Sequence, residues 1–187
     1  LYEPVACIDP NAQVDYVLEV AVDRNEDGLV SYLAKGVKWA FVAIGHNPLR
    51  AKLALDLRES GFQLPNAISK SARVSPSATL GQGILIMPGA VINEESDIGD
   101  FCIVNTNAVV EHDCRVGIAC HVAPGSVLGG RVRLEDEVFI GTGASVIPSL
   151  VIGKGATVGA GAAVVSNIDA NVTVVGVPAR PLIRKPE

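Results

Sequence analysis

Val104-Asn105-Thr106-Asn107-Ala108-Val109-Val110-Glu111-His112-Asp113-Cys114-Arg115-Val116-Gly117-Ile118-Ala119-Cys120-His121-Val122 holds three periods of the pattern that decides the fold. Val104, Val110, Val116 and Val122 stand six residues apart, and the same spacing continues in both directions. Backwards it meets Ile98, Ile92, Ile86, Leu80 and Val74. Forwards it meets Leu128, Leu134, Ile140, Val146, Ile152, Val158 and Val164, so that sixteen successive positions hold only Val, Ile or Leu. A second, mostly small series follows four residues after each, including Ala90, Ser96, Cys102, Ala108, Cys114, Cys120 and Ala144.

Neither series has the 3.6-residue period of a helix. Six is a multiple of two, so a short strand can keep its inward residues in step from one repeat to the next. Gly or Asn often follows the aliphatic residue, as at Ile98-Gly99, Val104-Asn105 and Ile140-Gly141, and suits a tight corner. A corner every six residues closes a triangle in eighteen. Each coil then stacks in parallel on the coil below and buries one aliphatic side chain per corner. Residues 74 to about 168 make roughly five such coils, above the ~3 units that a solenoid needs. The expected class is mainly β, a parallel β-helix of hexapeptide repeats with no insertion long enough to form a lid.

Composition agrees. Of 187 residues, 49% are apolar, 4% are aromatic and 19 are glycine, which suits thin, close-stacked layers better than a helical bundle. The net charge of −5, with no basic run longer than Arg184-Lys185, argues against a nucleic-acid partner. No apolar stretch approaches the ~20 residues of a membrane span, and no signal peptide is expected. Cys7, Cys102, Cys114 and Cys120 lack zinc-ligand spacing and read as buried thiols in a reducing compartment, the cytoplasm.

Residues 1–64 have a different texture and read as a small α/β domain, with residues 65–187 forming the β-helix and its tail. Tyr2 to Ile8 is strand-like. Val37 to Ile44 is a continuous apolar run, expected as a strand covered on both faces. It ends at Gly45-His46-Asn47-Pro48, after which Leu49, Leu53 and Leu57 give helical spacing up to Gly61. Such a unit binds ligands beyond the strand carboxyl ends. Trp39 is expected in its core.

A solenoid is a scaffold, so function must be read from sites. His112 lies two residues after Val110 and should project near an edge of the prism. His121 follows nine residues later, half a coil away on another face, so the two do not easily meet within one chain but could meet across an interface between protomers. An imidazole is a natural proton acceptor near neutral pH, and an adjacent carboxylate fixes its tautomer. Glu111 and Asp113 both flank His112, and either could serve. The alternative is a surface histidine among turn residues. Three histidines without metal-ligand spacing make a metal site unexpected. His46 and Asn47 could touch a ligand or simply start the helix. Lys154, Arg180, Arg184 and Lys185 could meet a phosphate or be ordinary surface charge.

The repeat resembles the left-handed β-helix acyltransferases, trimers that bind acetyl-CoA in the groove between adjacent coils. Four segments resemble, more narrowly, the bacterial nucleotide-sugar N-acetyltransferases: residues 41–47, 105–114, 117–122 and 175–179. The resemblance implies direct acetyl transfer from acetyl-CoA to the 4-amino group of a GDP- or UDP-linked 4-amino-4,6-dideoxy sugar, without a metal, in surface-glycan synthesis. It implies His112 as general base and Asp113 as its partner. His121 would lie near the acetyl carbonyl, and Gly141, Thr142, Gly159 and Ala160 along the pantetheine arm. Asp9, Gly45, Asn47 and Asn105 would contact the nucleotide-sugar. The family has a first strand and Gly-rich turn ahead of the segment that opens this chain, and that start is expected to be missing from the sequence. Pro10 after Asp9 also departs from the paired acids of the UDP-sugar branch. Two rivals stay open: an O-acetyltransferase acting on a sialic-acid-like sugar, and a non-catalytic solenoid that binds a nucleotide or partner.

Overall fold

The computed structural model of the chain describes residues 3–25 and 28–182. The expected strand start at Tyr2 and the phosphate candidates Arg184 and Lys185 lie outside the described residues.

Each of the sixteen aliphatic positions is the second residue of a two-residue strand, from Arg73–Val74 to Ala163–Val164. One further strand, Ala67–Ile68, starts the coil a step earlier. The strands form three parallel faces in which neighbours lie eighteen residues apart, as in Ile103 beside His121 and His121 beside Phe139. The first face stacks Ala67–Ile68, Leu85–Ile86, Ile103–Val104, His121–Val122, Phe139–Ile140 and Thr157–Val158. Thr173–Val175 and an antiparallel Arg180–Pro181 extend it. The second face contains Val91–Ile92, Val109–Val110 and Val127–Leu128. The third contains Asp97–Ile98, Arg115–Val116 and Arg133–Leu134.

The aliphatic residues therefore lie on the flats and point inward, which corrects the expectation that they mark the corners. The corner falls three residues later, where the backbone turns left-handed whatever the side chain: φ is 61° at Phe101, 59° at Asp113, 54° at Ala119 and 61° at Glu137. Glycines directly after the aliphatic residue have a different purpose from the one expected. A Cβ on Gly117 would lie 2.7 Å from the Asp136 nitrogen, and one on Gly141 would lie 2.6 Å from the Ala160 nitrogen. Those glycines allow one coil to approach the next, rather than allowing a turn.

Ile86, Ile92, Ile98, Val104, Val110, Leu128 and Ile140 fill the prism axis together with the small series. Cys102, Cys114 and Cys120 are buried there as free thiols. Burial pushes the Cys114 thiol up to about 11 and that of Cys120 well above its ordinary value, so both stay protonated and act as small apolar groups.

In the N-terminal unit, Cys7–Ile8 pairs in parallel with Val20–Asp23, which pairs antiparallel with Tyr16–Val17. Two helices follow, α1 (Leu29–Ala34) and α2 (Asn47–Glu59). The run from Val37 to Ile44 is not the two-sided strand expected. It forms a single parallel bridge, Trp39 with Gln63, and Trp39 is 48% exposed rather than in the core. Among the described residues only the Gln63 segment pairs with the run, so one side lacks the neighbour that a central strand needs.

The apolar stripe expected on α2 only partly faces the coil, where Leu57 packs against the buried cluster. Leu49 and Leu55 are exposed, while Asn47, Arg50, Ala51 and Ala54 are buried. Ala51 and Ala54 pack on Leu64, Phe101 and Ala119, where small side chains let the helix lie close to the coil. No helix among the described residues is long and apolar enough to cross a membrane.

Candidate functional site

His112 and Asp113 form the corner between the second and third faces. Asp113 takes the left-handed position, which short polar residues tolerate better than most. This carries its carboxylate back to the preceding ring, with Oδ2 2.7 Å from His112 Nδ1. An ionised carboxylate only accepts, so the hydrogen sits on Nδ1 and the lone pair of Nε2 is free to take a proton. Glu111 accepts instead from Asn93 Nδ2 at 2.9 Å, so of the two flanking acids it is Asp113 that orients the imidazole. His112 and Asp113 are each about half exposed, and an ion pair at such a site adds only ~0–1 kcal/mol of stability.

His121 lies on the first face, against a cavity of about 200 Å3 whose lining includes Ile44, Gly45, Met87 and Asn105. Phe139 meets its ring edge-on at 5.2 Å. Asn105 Oδ1 accepts from the Thr106 amide at 2.8 Å, which turns Asn105 Nδ2 toward His121 Nε2 at 3.0 Å. Nε2 must therefore accept, and Nδ1 carries the hydrogen. That buried Nδ1 has no hydrogen-bond partner among the described residues.

Burial, and then the Arg50 charge, hold the His121 value below that of an ordinary histidine, while the Gly45 backbone acts in the opposite direction. The unfolded chain therefore binds this proton first as pH falls through 6.5. The contribution to stability is complete above that pH and is lost below it, down to the depressed native value. Melting temperature should thus fall less steeply from about pH 7 to about pH 5 in His121→Gln than in the parent. Parallel slopes in the two proteins would refute the assignment.

Asn105, Ala123, Gly141 and Gly159 are stacked eighteen residues apart along the edge between the first and second faces. Gly141 and Gly159 donate their amides within the coil, to Val158 O and Val174 O, each at 2.8 Å. The Thr142 and Ala160 amides donate to no group among the described residues. Of the four residues expected along the pantetheine arm, Thr142 and Ala160 thus offer donors, and the two glycines keep the ridge low.

The structure brings Gly45, Asn105 and His121 around one cavity, and runs the Gly141–Ala160 ridge along the same side of the prism. It puts His112 and Asp113 on the edge opposite the first face, so one protomer does not unite the two histidines. Asp9 closes a turn by accepting from the Asn11 amide at 2.9 Å, and no hydrogen bond among the described residues joins it to the coil. Asn47 is buried. Its Nδ2 donates to Glu137 O and Val138 O at 3.0 and 3.1 Å, and its Oδ1 accepts from Arg50, so its side chain fastens α2 to the coil. His46 caps α2, accepting from the Leu49 amide at 3.3 Å. Arg180 lies at the far end of the first face, and Lys154 at the edge between the third and first faces.

Arg50 gave no signal in the sequence, where it reads as a solvated helix residue. It is 1% exposed, and no ion pair among the described residues includes it. Nε donates to Phe101 O at 2.7 Å. Nη2 donates to Ala119 O at 2.8 Å and Asn47 Oδ1 at 2.8 Å, and Nη1 to Ile44 O and Gly45 O at 3.0 and 3.1 Å. Arg50 thus ties the loop over the His121 cavity to the carbonyls of two successive corners. Among the described residues no three His, Cys, Asp or Glu side chains cluster as a metal site requires.

No family model matches the chain. Solved structures do. PerB from Caulobacter crescentus, solved in complex with CoA and GDP-perosamine, is 47% identical with a TM-score of 0.88, over 90% of this chain and 81% of that one. The acetyltransferase domain of PglB from Neisseria gonorrhoeae FA1090 is 38% identical with a TM-score of 0.89, over 94% and 85%. Among curated proteins, a serine acetyltransferase of Synechococcus elongatus is 32% identical over 121 residues, and the chain spans only 42% of its length. A three-faced coil of hexapeptides with such neighbours is a left-handed parallel β-helix. The chain belongs to the left-handed β-helix acyltransferases, in the subgroup of nucleotide-sugar N-acetyltransferases.

Proposed function

We propose that the protein transfers the acetyl group of acetyl-CoA to the 4-amino group of a nucleotide-linked 4-amino-4,6-dideoxy sugar, GDP-perosamine or a UDP-linked counterpart, in bacterial surface-glycan synthesis. The observation that carries this reading is the 2.7 Å contact between His112 Nδ1 and Asp113, which leaves Nε2 as a poised base. The likeness to PerB supports the choice of substrates.

In the reaction the amine nitrogen attacks the thioester carbon. A C–N bond forms, the C–S bond breaks, His112 Nε2 receives the proton from nitrogen, and CoA leaves as its thiolate. No residue of the chain becomes acylated. The Thr142 and Ala160 amides hold the pantetheine arm, with Gly141 and Gly159 giving it room. His121 faces the acetyl carbonyl. Asn105, Gly45 and Asp9 contact the nucleotide-sugar, and Asn47 contributes by holding the loop. Positioning two substrates together can contribute ~7–11 kcal/mol, with the base adding a smaller share.

The opposed positions of His112 and His121 support a site completed by a neighbouring protomer in a homotrimer. Four free thiols and the two co-substrates fit a reducing cytoplasm.

The test measures thiol release from acetyl-CoA with a panel of GDP-, UDP- and dTDP-linked 4-amino-4,6-dideoxy sugars. Turnover with one of them establishes the reaction and names the acceptor. Silence across the panel from protein that binds acetyl-CoA would rule out the amine acceptor. Silence without acetyl-CoA binding would favour a non-catalytic module.

A further inference from the structure

Counting by six from Lys70 to Ala160, sixteen residues open a corner of the coil, and Gly130 is the only glycine among them. It stands eighteen residues after His112, directly above it on the same edge. Its backbone does not require glycine, because the left-handed residue of that corner is Arg131, with φ of 61°. What forbids a side chain is the neighbour below. A Cβ on Gly130 would lie 2.6 Å from His112 Nε2 and 2.7 Å from Cε1. The adjacent Gly129 differs, since its Cβ would meet the backbone nitrogen of Pro148 at 2.8 Å and so serves coil stacking alone.

The edge of the ring that a methyl at 130 would strike is the edge that must receive the proton. The ring cannot swing away and keep Asp113, because the 2.7 Å contact through Nδ1 fixes its other side. Meanwhile the backbone beneath it is fixed by Arg131 N donating to His112 O at 2.9 Å, and Ser149 N donating to Gly130 O at 2.9 Å. An alanine could therefore be accommodated only by turning the imidazole off its carboxylate.

We propose that Gly130 is a positioning residue for acetyl transfer. Its missing side chain makes the space in which the His112 imidazole lies against the next coil, Nδ1 on Asp113 and Nε2 clear for the acceptor. This rests on the reading of His112 as the base.

The test compares Gly130→Ala, His112→Ala and the double variant by steady-state kinetics and thermal melting. Gly130→Ala should lower kcat on the order of 10²-fold while KM for acetyl-CoA stays within about twofold. In the His112→Ala background the same change should cost nothing further in rate, because the group it displaces is gone. Any loss of melting temperature in Gly130→Ala should also vanish in the double variant, where the methyl has room. A Gly130→Ala enzyme with the parent kcat would overturn the proposal, as would an equal rate or stability penalty in both backgrounds. His112→Ala retaining its rate would instead overturn the assignment of the base.

Discussion

Replacing His112 by alanine is expected to lower kcat for acetyl transfer by on the order of 10²–10⁴-fold while leaving the fold and acetyl-CoA binding intact. The ring is half exposed and its ion pair with Asp113 is on the surface, so little packing or stability is lost with it. The ridge that would hold the pantetheine arm runs along a different edge, so co-substrate affinity should not follow the rate. Steady-state kinetics with the accepted sugar, alongside a binding titration of acetyl-CoA, separates the two. Retention of kcat would mean that another group takes the proton, or that the attacking amine needs no help. Loss of rate together with loss of acetyl-CoA binding would mean that His112 holds the co-substrate rather than the proton.

Arg50→Met should be the most disruptive single change in the N-terminal unit. The corner carbonyls of Phe101 and Ala119 project from the coil because those residues are left-handed, and the buried guanidinium satisfies both. Methionine keeps much of the volume and none of the donors. Each buried acceptor left without a partner costs about 1–3 kcal/mol, so a total of about 3 kcal/mol or more is expected at this contact. Since the coil has its own continuous core, the loss should fall on the docking of α2 and of the loop at Ile44 and Gly45. Trp39, the sole tryptophan, belongs to that unit and can report on it separately. Its fluorescence should change at a lower urea concentration than the circular dichroism of the coil, whereas the parent should show less separation. Coincident and unshifted transitions would refute the role given to Arg50. Because Nη1 also fixes the two loop carbonyls, KM for the nucleotide-sugar should rise more than that for acetyl-CoA.

The solenoid was legible because sixteen aliphatic residues carry its period, and period survives without any knowledge of contacts. Phase did not. Whether an aliphatic residue marks a flat or a corner depends on which residue turns left-handed. Here that position holds Phe101, Asp113, Ala119, Arg131 and Glu137 as readily as glycine, so no residue type announces it. The run from Val37 to Ile44 was misread for a related reason: apolarity tells that a segment prefers company, not on how many sides it finds it. In the site, His112 and Asp113 were visible as neighbours in sequence, but the choice between Glu111 and Asp113 is made by backbone torsion. Arg50 was invisible because its partners are carbonyls, which every residue has. Its helix also leaves Leu49 exposed and buries a charge, although Leu57 of the expected stripe does pack inward.

The uniform pitch of the coil separates the tolerance of the fold from that of the function. Six residues inserted between two strands would keep every aliphatic side chain on the axis, and the core would barely register the change. Yet everything after the insertion would be carried one third of a turn around the prism, and the Thr142 and Ala160 amides would open onto the wrong edge. Eighteen inserted residues would return each side chain to its own edge and lengthen the groove by one strand spacing, about 4.8 Å. Folding in this protein counts in sixes and the proposed acetyl-CoA groove counts in eighteens, so only whole turns could be added to such a coil without moving that groove.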